Sequence, residues 1–390
     1  MEGDFIKINK WLLPLSWLYG MGVRLRNLLF NWGVLKSKSY EIPVISVGNI
    51  TVGGTGKTPH VEYLIRLLQD KYKTAVLSRG YKRRSKGFIL ANDKSSVTDL
   101  GDEAYQIKKK FGNIHVAVDA DRCKGIEQLC NNPLTKDTKV ILLDDAFQHR
   151  YVKPDVNILL VDYHRLIPYD KLLPAGRLRE PKESKSRADI VVVTKCPKGL
   201  KSMDFRVIKK ALNLYPYQAL FFSTIEYGKL TPVYCGVERE LSSLSKAENV
   251  LLLTGIASPQ QMLLDIEPYT KKVTHLKYED HHSFTSNDIN TINQTFASLP
   301  SPKLLITTEK DSVRLFGMQG LSKEVRHHLF ILPIEIKFLL KQENLFNNKI
   351  LNYVQDNSRN ICMAQGENNN ASTNSHHSGN RVRTISFRNN

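Results

Sequence analysis

Over its first 200 residues the chain alternates short, almost wholly apolar runs with segments whose apolar residues recur at helical spacing. The runs lie at 42–47, 74–78, 114–118, 140–144, 156–161 and 189–194. Strands apolar on both faces suit a sheet covered on both sides, which is how parallel sheets occur. Helical periodicity over 59–69 and 102–111 supplies crossovers between such strands. The pattern therefore predicts an α/β fold: a P-loop NTPase-like parallel sheet flanked by helices. At 215–227 it shifts to a strand with aromatic neighbours (Leu220, Phe221, Phe222), placed at a hinge. A second, smaller α/β unit follows from about 250.

The boundaries expected on this basis are 1–35 for an N-terminal helix, 36–225 for the sheet core and 226–350 for the smaller domain. Part of 300–350 is a candidate to pack back on the core. Residues 351–390 turn to Asn, Ser, His and Gly. Such a composition cannot bury a core, so this tail is expected to be disordered. No internal repeat is present.

The N-terminal apolar run, 11–23, is broken by Pro14 and has no small-residue cleavage site after it. It is also short of the ~20 apolar residues that a bilayer span needs. Leu15, Leu18, Tyr19, Leu25, Leu28 and Leu29 share one helical face, with Trp, Tyr and Arg beside it. That arrangement predicts an amphipathic helix lying in a membrane interface; the structural alternative is a helix packed on its own core. Charge strengthens the first reading. Lys plus Arg number 56 against 38 Asp plus Glu, a net +18 that favours an anionic partner. Five scattered cysteines without CxxC spacing argue against a zinc site or a disulfide framework and for a reducing compartment.

Candidate chemistry begins where the first strand ends. Gly53, Gly54, Thr55, Gly56, Lys57 and Thr58 lie between a strand and a helix, the context a phosphate loop requires. Glycines let backbone N–H groups turn toward phosphates, and the helix N-terminus adds a favourable dipole. Lys57 is then expected on the β- and γ-phosphates of ATP and Thr58 on Mg²⁺. The strict pattern places Gly at position 51, where this chain has Thr51. The fourth run, 140–144, ends in Asp144 and is followed by Asp145, a carboxylate pair at a strand tip, where a Walker-B group orders Mg²⁺. Successive residues face opposite ways, so one of the two is expected on the metal, without the sequence saying which.

Other polar clusters sit at strand ends or in loops. Residues 78–84 carry four cations suited to an anionic substrate. Gly101-Asp102-Glu103 opens a helix, which helix capping alone would explain. The loop 174–181 mixes Pro, Gly, Arg and Glu. Of His281 and His282 the former is preferred for an acid–base or orienting role.

Taken in order, the motifs are Gly48-Asn49-Ile50-Thr51-Val52-Gly53-Gly54-Thr55-Gly56-Lys57-Thr58-Pro59, Ser78-Arg79-Gly80-Tyr81 and Gly101-Asp102-Glu103. Asp144-Asp145-Ala146-Phe147-Gln148-His149 follows, then Leu173-Pro174-Ala175-Gly176 with Arg179-Glu180, Asp280-His281-His282 and Thr308-Glu309-Lys310-Asp311. Over about residues 8–315 this series resembles the tetraacyldisaccharide 4′-kinase family of lipid A biosynthesis. Thr51 matches that family's own variant of the loop, whereas Ala146 stands where the family more often has Gly.

The resemblance implies an ATP- and Mg²⁺-dependent kinase acting on the 4′-hydroxyl of a tetraacylated disaccharide 1-phosphate. It also implies a peripheral place on the cytoplasmic face of the bacterial inner membrane, held by the N-terminal helix. Asp102, helped by His281, is implied as the base. Thr58, Asp144, Asp145 and Glu180 are expected around Mg²⁺, and Arg79, Tyr81, Gln148, His149 and Arg179 on substrate. A monomer with no nucleic-acid partner is expected. The alternative is a membrane-associated ATPase of the deviant-Walker type; it carries a signature Lys before the glycine pair, where this chain has Val52.

Overall fold

The computed structural model describes residues 8–256, 259–280, 282–316 and 318–356. Eight strands in chain order build most of a nine-stranded sheet: β1 Val44–Gly48, β2 Thr74–Ser78, β3 Ile89–Leu90, β4 His115–Val118, β5 Val140–Asp144, β6 Val156–Asp162, β7 Ile190–Thr194 and β8 Ala219–Tyr227. A smaller sheet contains β9 Thr231–Pro232, β10 Asn249–Thr254, β11 Val273–Lys277, β12 Lys303–Thr307 and β13 Leu329–Ile331. The chain then crosses back as β14, Ile334–Phe338, antiparallel to β8. The large sheet runs β14-β8-β7-β6-β1-β5-β2-β4-β3 and the small one β11-β10-β12-β13-β9. The large sheet is parallel from β8 to β4. Its central strands β1, β2, β5 and β7 are buried at every position, which is why they read as unbroken apolar runs.

The principal helices are α1 Leu13–Asn31, α2 Lys57–Leu68, α3 Val97–Leu100, α4 Asp102–Lys110, α5 Arg122–Asn131, α6 Ser202–Leu212, α7 Gln260–Ile266, α8 Ser286–Ser298, α9 Glu309–Leu315 and α10 Lys323–His328. A last helix, α11, spans 343–356. Residues 351–356, read from sequence as the start of the tail, are thus helical; Val354 is fully buried there. Phe346 and Ile350 of α11 join Ile336 and Phe338 of β14 in the core that also holds Val61, Leu64 and Phe221.

Helix α1 faces the opposite way from an ordinary surface helix. Only Ser16, Gly20 and Phe30 are buried along it, while Leu15, Leu18, Leu25 and Leu28 are exposed. Trp11, Trp17 and Trp32 are 93%, 77% and 70% exposed. The helix docks through its small and polar side. Ser16 Oγ donates to Leu172 O (2.9 Å) and accepts from Ala175 N (2.9 Å). Arg150 bonds Asn27 and Asn31, and Phe30 lies between the Arg26 and Arg150 guanidiniums. Packing on its own core is therefore not what the apolar face does. Among the described residues, no helix is long and apolar enough to cross a membrane.

Candidate active site

The carboxyl ends of β1, β2, β4 and β5 converge on one edge of the sheet, the usual place for ligands in an open parallel sheet. From β1 the chain enters the glycine loop. Gly53 (φ +118°) and Gly56 (φ +83°) adopt left-handed backbone conformations that disfavour any side chain. A Cβ on Gly48 would stand 2.8 Å from Phe147, so that glycine admits the loop after β5. Asn49 Nδ2 donates to Thr55 Oγ1 (2.7 Å) inside the turn. Thr51 is buried and forms an isolated antiparallel bridge with Leu178. Beside it, Val52 N donates to Arg177 O and Arg179 N to Ile50 O, each at 2.7 Å. The glycine loop is thereby laced to the 174–181 loop. His60 anchors the first turn of α2 through Gly56 O (2.7 Å) and Ser223 Oγ (3.0 Å), and burial depresses its pKa to about 4.

The two carboxylates after β5 differ sharply. Asp144 is fully buried; Ser78 Oγ donates to its Oδ2 (3.2 Å), and its Oδ1 has no partner among the described residues. Burial, reinforced by the Glu103 and Asp145 charges, raises its pKa to about 7. Asp145 takes a left-handed turn (φ +48°) that carries its side chain elsewhere. Lys57 Nζ lies 3.7 Å from its Oδ1 and Arg179 Nη1 3.3 Å from its Oδ2. Burial pushes this carboxyl up, but the Lys57 and Arg179 cations prevail and hold it below the usual range. Asp144 is a buried carboxylate with an orphaned oxygen whose pKa is raised despite the nearby Lys57 and Arg122 charges, and Thr58 lies in the first turn of the adjacent α2. Those features fit Mg²⁺. Glu180 stands differently: Arg187 binds its Oε2 at 2.6 Å, while the buried Oε1 has no partner among the described residues.

Among the remaining expected residues, Arg79, Tyr81, Gln148 and His149 lie around this edge. Arg79 and Tyr81 are exposed beyond β2, on a turn pressed against the start of α4: a Cβ on Gly101 would lie 2.6 Å from Tyr81 O. Of the four cations in that run, Arg83 is spent on the Val118 and Gly87 carbonyls. Gln148 bridges Asn49 O (2.7 Å) and Arg179 Nη1 (3.5 Å). His149 Nε2 is buried without a partner among the described residues, and its pKa falls to about 4 through burial and the Arg122 charge, with Arg26 and Arg79 adding. With Ala120, Asp121, Cys123 and Tyr151, His149 lines a cavity of about 450 Å³.

Asp102 opens α4, and its carboxylate accepts two bonds from Arg314 of α9. His281 lies outside the described residues. Its neighbour His282 bonds Asp288 (2.9 Å) and stacks on Tyr278, a local structural role.

Sequence reasoning missed Arg122 and Arg314, and gave Glu103, whose charge acts on Asp144, no role beyond opening a helix. Arg122 is buried to 2% and donates to Asp119 O, Ala120 O and Asp144 O beneath the carboxylate pair. Asp119-Ala120-Asp121-Arg122 follows the apolar strand β4 directly, and that strand-end charge cluster was the available signal. Asp121, Cys123 and His149 offer ligand atoms within 4.8 Å of one another. The Arg122, Arg26 and Arg79 charges act on His149 there against that of Asp121.

Comparison with known proteins agrees with this architecture. The model of the family described as LpxK, tetraacyldisaccharide-1-P 4′-kinase, matches residues 8–355. A tetraacyldisaccharide 4′-kinase of Phocaeicola vulgatus is 59% identical over 92% of this chain and 99% of its own length. One from Bacteroides fragilis is 53% identical over 92% and 97%. A crystal structure of LpxK from Aquifex aeolicus in complex with ATP superposes with a TM-score of 0.68 at 30% identity, covering 88% of this chain and 98% of that one. With its phosphate loop, carboxylate pair and two-sheet plan, the chain belongs to the tetraacyldisaccharide 4′-kinase family.

Proposed function

We propose that the protein transfers the γ-phosphate of ATP to the 4′-hydroxyl of a tetraacylated disaccharide 1-phosphate at a membrane surface. The observation that carries this reading is one sheet edge holding three things: the glycine loop with Lys57, the Asp144–Asp145 pair, and Asp102 at the start of α4. Backbone N–H groups of Gly53–Thr58 and the Lys57 ammonium hold the phosphates and offset charge that develops on them. Asp145 is already held by Lys57 and Arg179. The metal role therefore falls on Asp144 Oδ1 and the Thr58 hydroxyl, with the unpartnered Oε1 of Glu180 as the further carboxylate oxygen open to it. Bound there, Mg²⁺ supplies electrostatic neutralisation of the phosphate oxygens.

Asp102 takes the acceptor hydroxyl's proton, assisted by His281 from the smaller-sheet unit. Arg79, Tyr81, Gln148, His149 and Arg179 line the approach, and their cations suit a phosphorylated acceptor. The outward apolar face of α1 supports a peripheral seat on the cytoplasmic face of the inner membrane, beside the loop it docks on. The protein acts as a monomer in this reading.

The test is incubation of purified protein with labelled ATP, Mg²⁺ and a lipid A disaccharide 1-phosphate. Label is expected on the lipid. ATP hydrolysis with no labelled lipid would instead favour the ATPase reading.

A further inference from the structure

Helix α4 carries Asp102 at its first residue and Lys110 at its last, and both ends are tied to α9 of the smaller-sheet unit. At one end Arg314 places Nε (3.0 Å) and Nη2 (2.6 Å) on the same oxygen, Oδ2 of Asp102. At the other, Lys110 bridges Glu309 of α9 and the buried Glu62 of α2. The pairs differ in rigidity. Arg314 is only 7% exposed, and its Nη1 is held by Asp311 Oδ1 (3.0 Å) and Gly255 O (3.4 Å). Asp311 is itself fully buried, accepting from Gly255 N (2.8 Å) and Thr308 Oγ1 (2.7 Å). A bonded chain thus runs from the backbone at the end of β10 to the carboxylate at the mouth of the phosphate site. Charge-assisted bonds between nearly buried, pre-held groups fix geometry in a way that exposed ion pairs do not.

We propose that Arg314 is a positioning residue for phosphoryl transfer: from the smaller-sheet unit it fixes the orientation of the Asp102 carboxylate, so that the base is in place only when the two units are docked. The inference rests on the reading of Asp102 as the base. A neighbouring guanidinium makes a carboxylate a weaker base, so what Arg314 contributes is placement. Misplacement by about 1 Å costs roughly 10²-fold in rate.

The experiment compares steady-state kinetics of Arg314→Ala, Arg314→Lys and Asp102→Asn with lipid A disaccharide 1-phosphate and Mg-ATP. Arg314→Ala is expected to lower kcat roughly 10- to 100-fold with KM for ATP within about twofold of wild type. Arg314→Lys, which keeps a charged donor, is expected to recover most of that loss. Wild-type kcat in Arg314→Ala overturns the proposal. So does a joint fall of kcat, ATP affinity and Tm that Lys does not repair, because that marks a merely structural tie. Should Arg314→Ala not fold, Arg314→Gln takes its place with the same two outcomes. Asp102→Asn separates the two readings. Full turnover in that variant sinks the base assignment itself; its collapse, with Arg314→Ala unaffected, sinks only the positioning role.

Discussion

Asp144 and Asp145 are chain neighbours with opposite surroundings, and the difference can be tested by titration. The folded-state pKa of Asp144, about 7, lies well above the ~3.9 of an unfolded Asp. Between those values the folded protein holds a proton that the unfolded chain has lost. The contribution of Asp144 to metal-free stability is therefore fully present below about pH 4 and is lost as pH rises toward 7, by on the order of a few kcal/mol. Asp144→Asn removes that cost. It is expected to raise the Tm of the metal-free protein at pH 8, to flatten its dependence between pH 4 and 7, and to abolish the added stabilisation by Mg-ATP. An unchanged Tm-versus-pH curve would contradict the burial argument. At this scale the sequence made the phosphate loop and the carboxylate pair legible, because strand–loop–helix spacing and a charged strand tip are local signals. Which aspartate is ion-paired was not legible, since it depends on Arg179 and on the turn at Asp145. Nor was the tie of Arg314 to Asp102, residues 212 apart in the chain.

Elements were legible in proportion to their burial. Six apolar runs correspond to β1, β2, β4, β5, β6 and β7, with ends displaced by no more than two residues, because a sheet covered on both faces needs no alternation to mark it. For α1, periodicity gave a face but not which side of it is covered. The structure covers the side of Ser16, Gly20 and Phe30 and leaves the tryptophans outward. A triple change on the outward side, Trp17→Ser with Leu18→Ser and Leu25→Ser, removes apolar area that the fold does not bury. It is expected to leave Tm nearly unchanged and to weaken sedimentation with anionic phospholipid vesicles at least tenfold, each lost side chain being worth about 1.5–3 kcal/mol when buried. Ser16→Ala, on the inward side, should do the reverse. It breaks the bonds to Leu172 O and Ala175 N, costs about 1 kcal/mol, and leaves vesicle binding intact. Loss of vesicle binding from Ser16→Ala alone would point to docking rather than the apolar face as the determinant.

At the scale of the whole molecule, the chain's return to the first sheet decides what can fold alone. The sequence offered part of 300–350 as a candidate to pack back on the core, but not which segment or where, because β14 and α11 pack on core residues that lie more than a hundred residues earlier. Phe338 and Phe346 stack at 4.3 Å, Phe221 meets Phe346 at 5.2 Å, and Tyr63 donates to Asn347 (2.7 Å). Ending the chain at 331 removes Ile336, Phe338, Phe346, Ile350 and Val354 from that core and strips β8 of its antiparallel partner. Five such side chains at about 1.5–3 kcal/mol each rival the entire stability of a typical domain, about 5–15 kcal/mol. The 1–331 fragment is therefore expected to be insoluble or unfolded by circular dichroism, although it retains every residue of the phosphate loop. The smaller sheet can be removed differently. Gly228 N donates to Pro333 O at 3.0 Å, so the outgoing and returning strands are already adjacent where they leave the core. Replacing 229–332 by a short Gly-rich turn should give a folded protein that binds ATP. It should show no lipid phosphorylation, because His281 and Arg314 are gone. A folded 1–331 fragment, or an excised protein that still labels lipid, would break the argument that the core needs its returning strand and the chemistry needs both sheets.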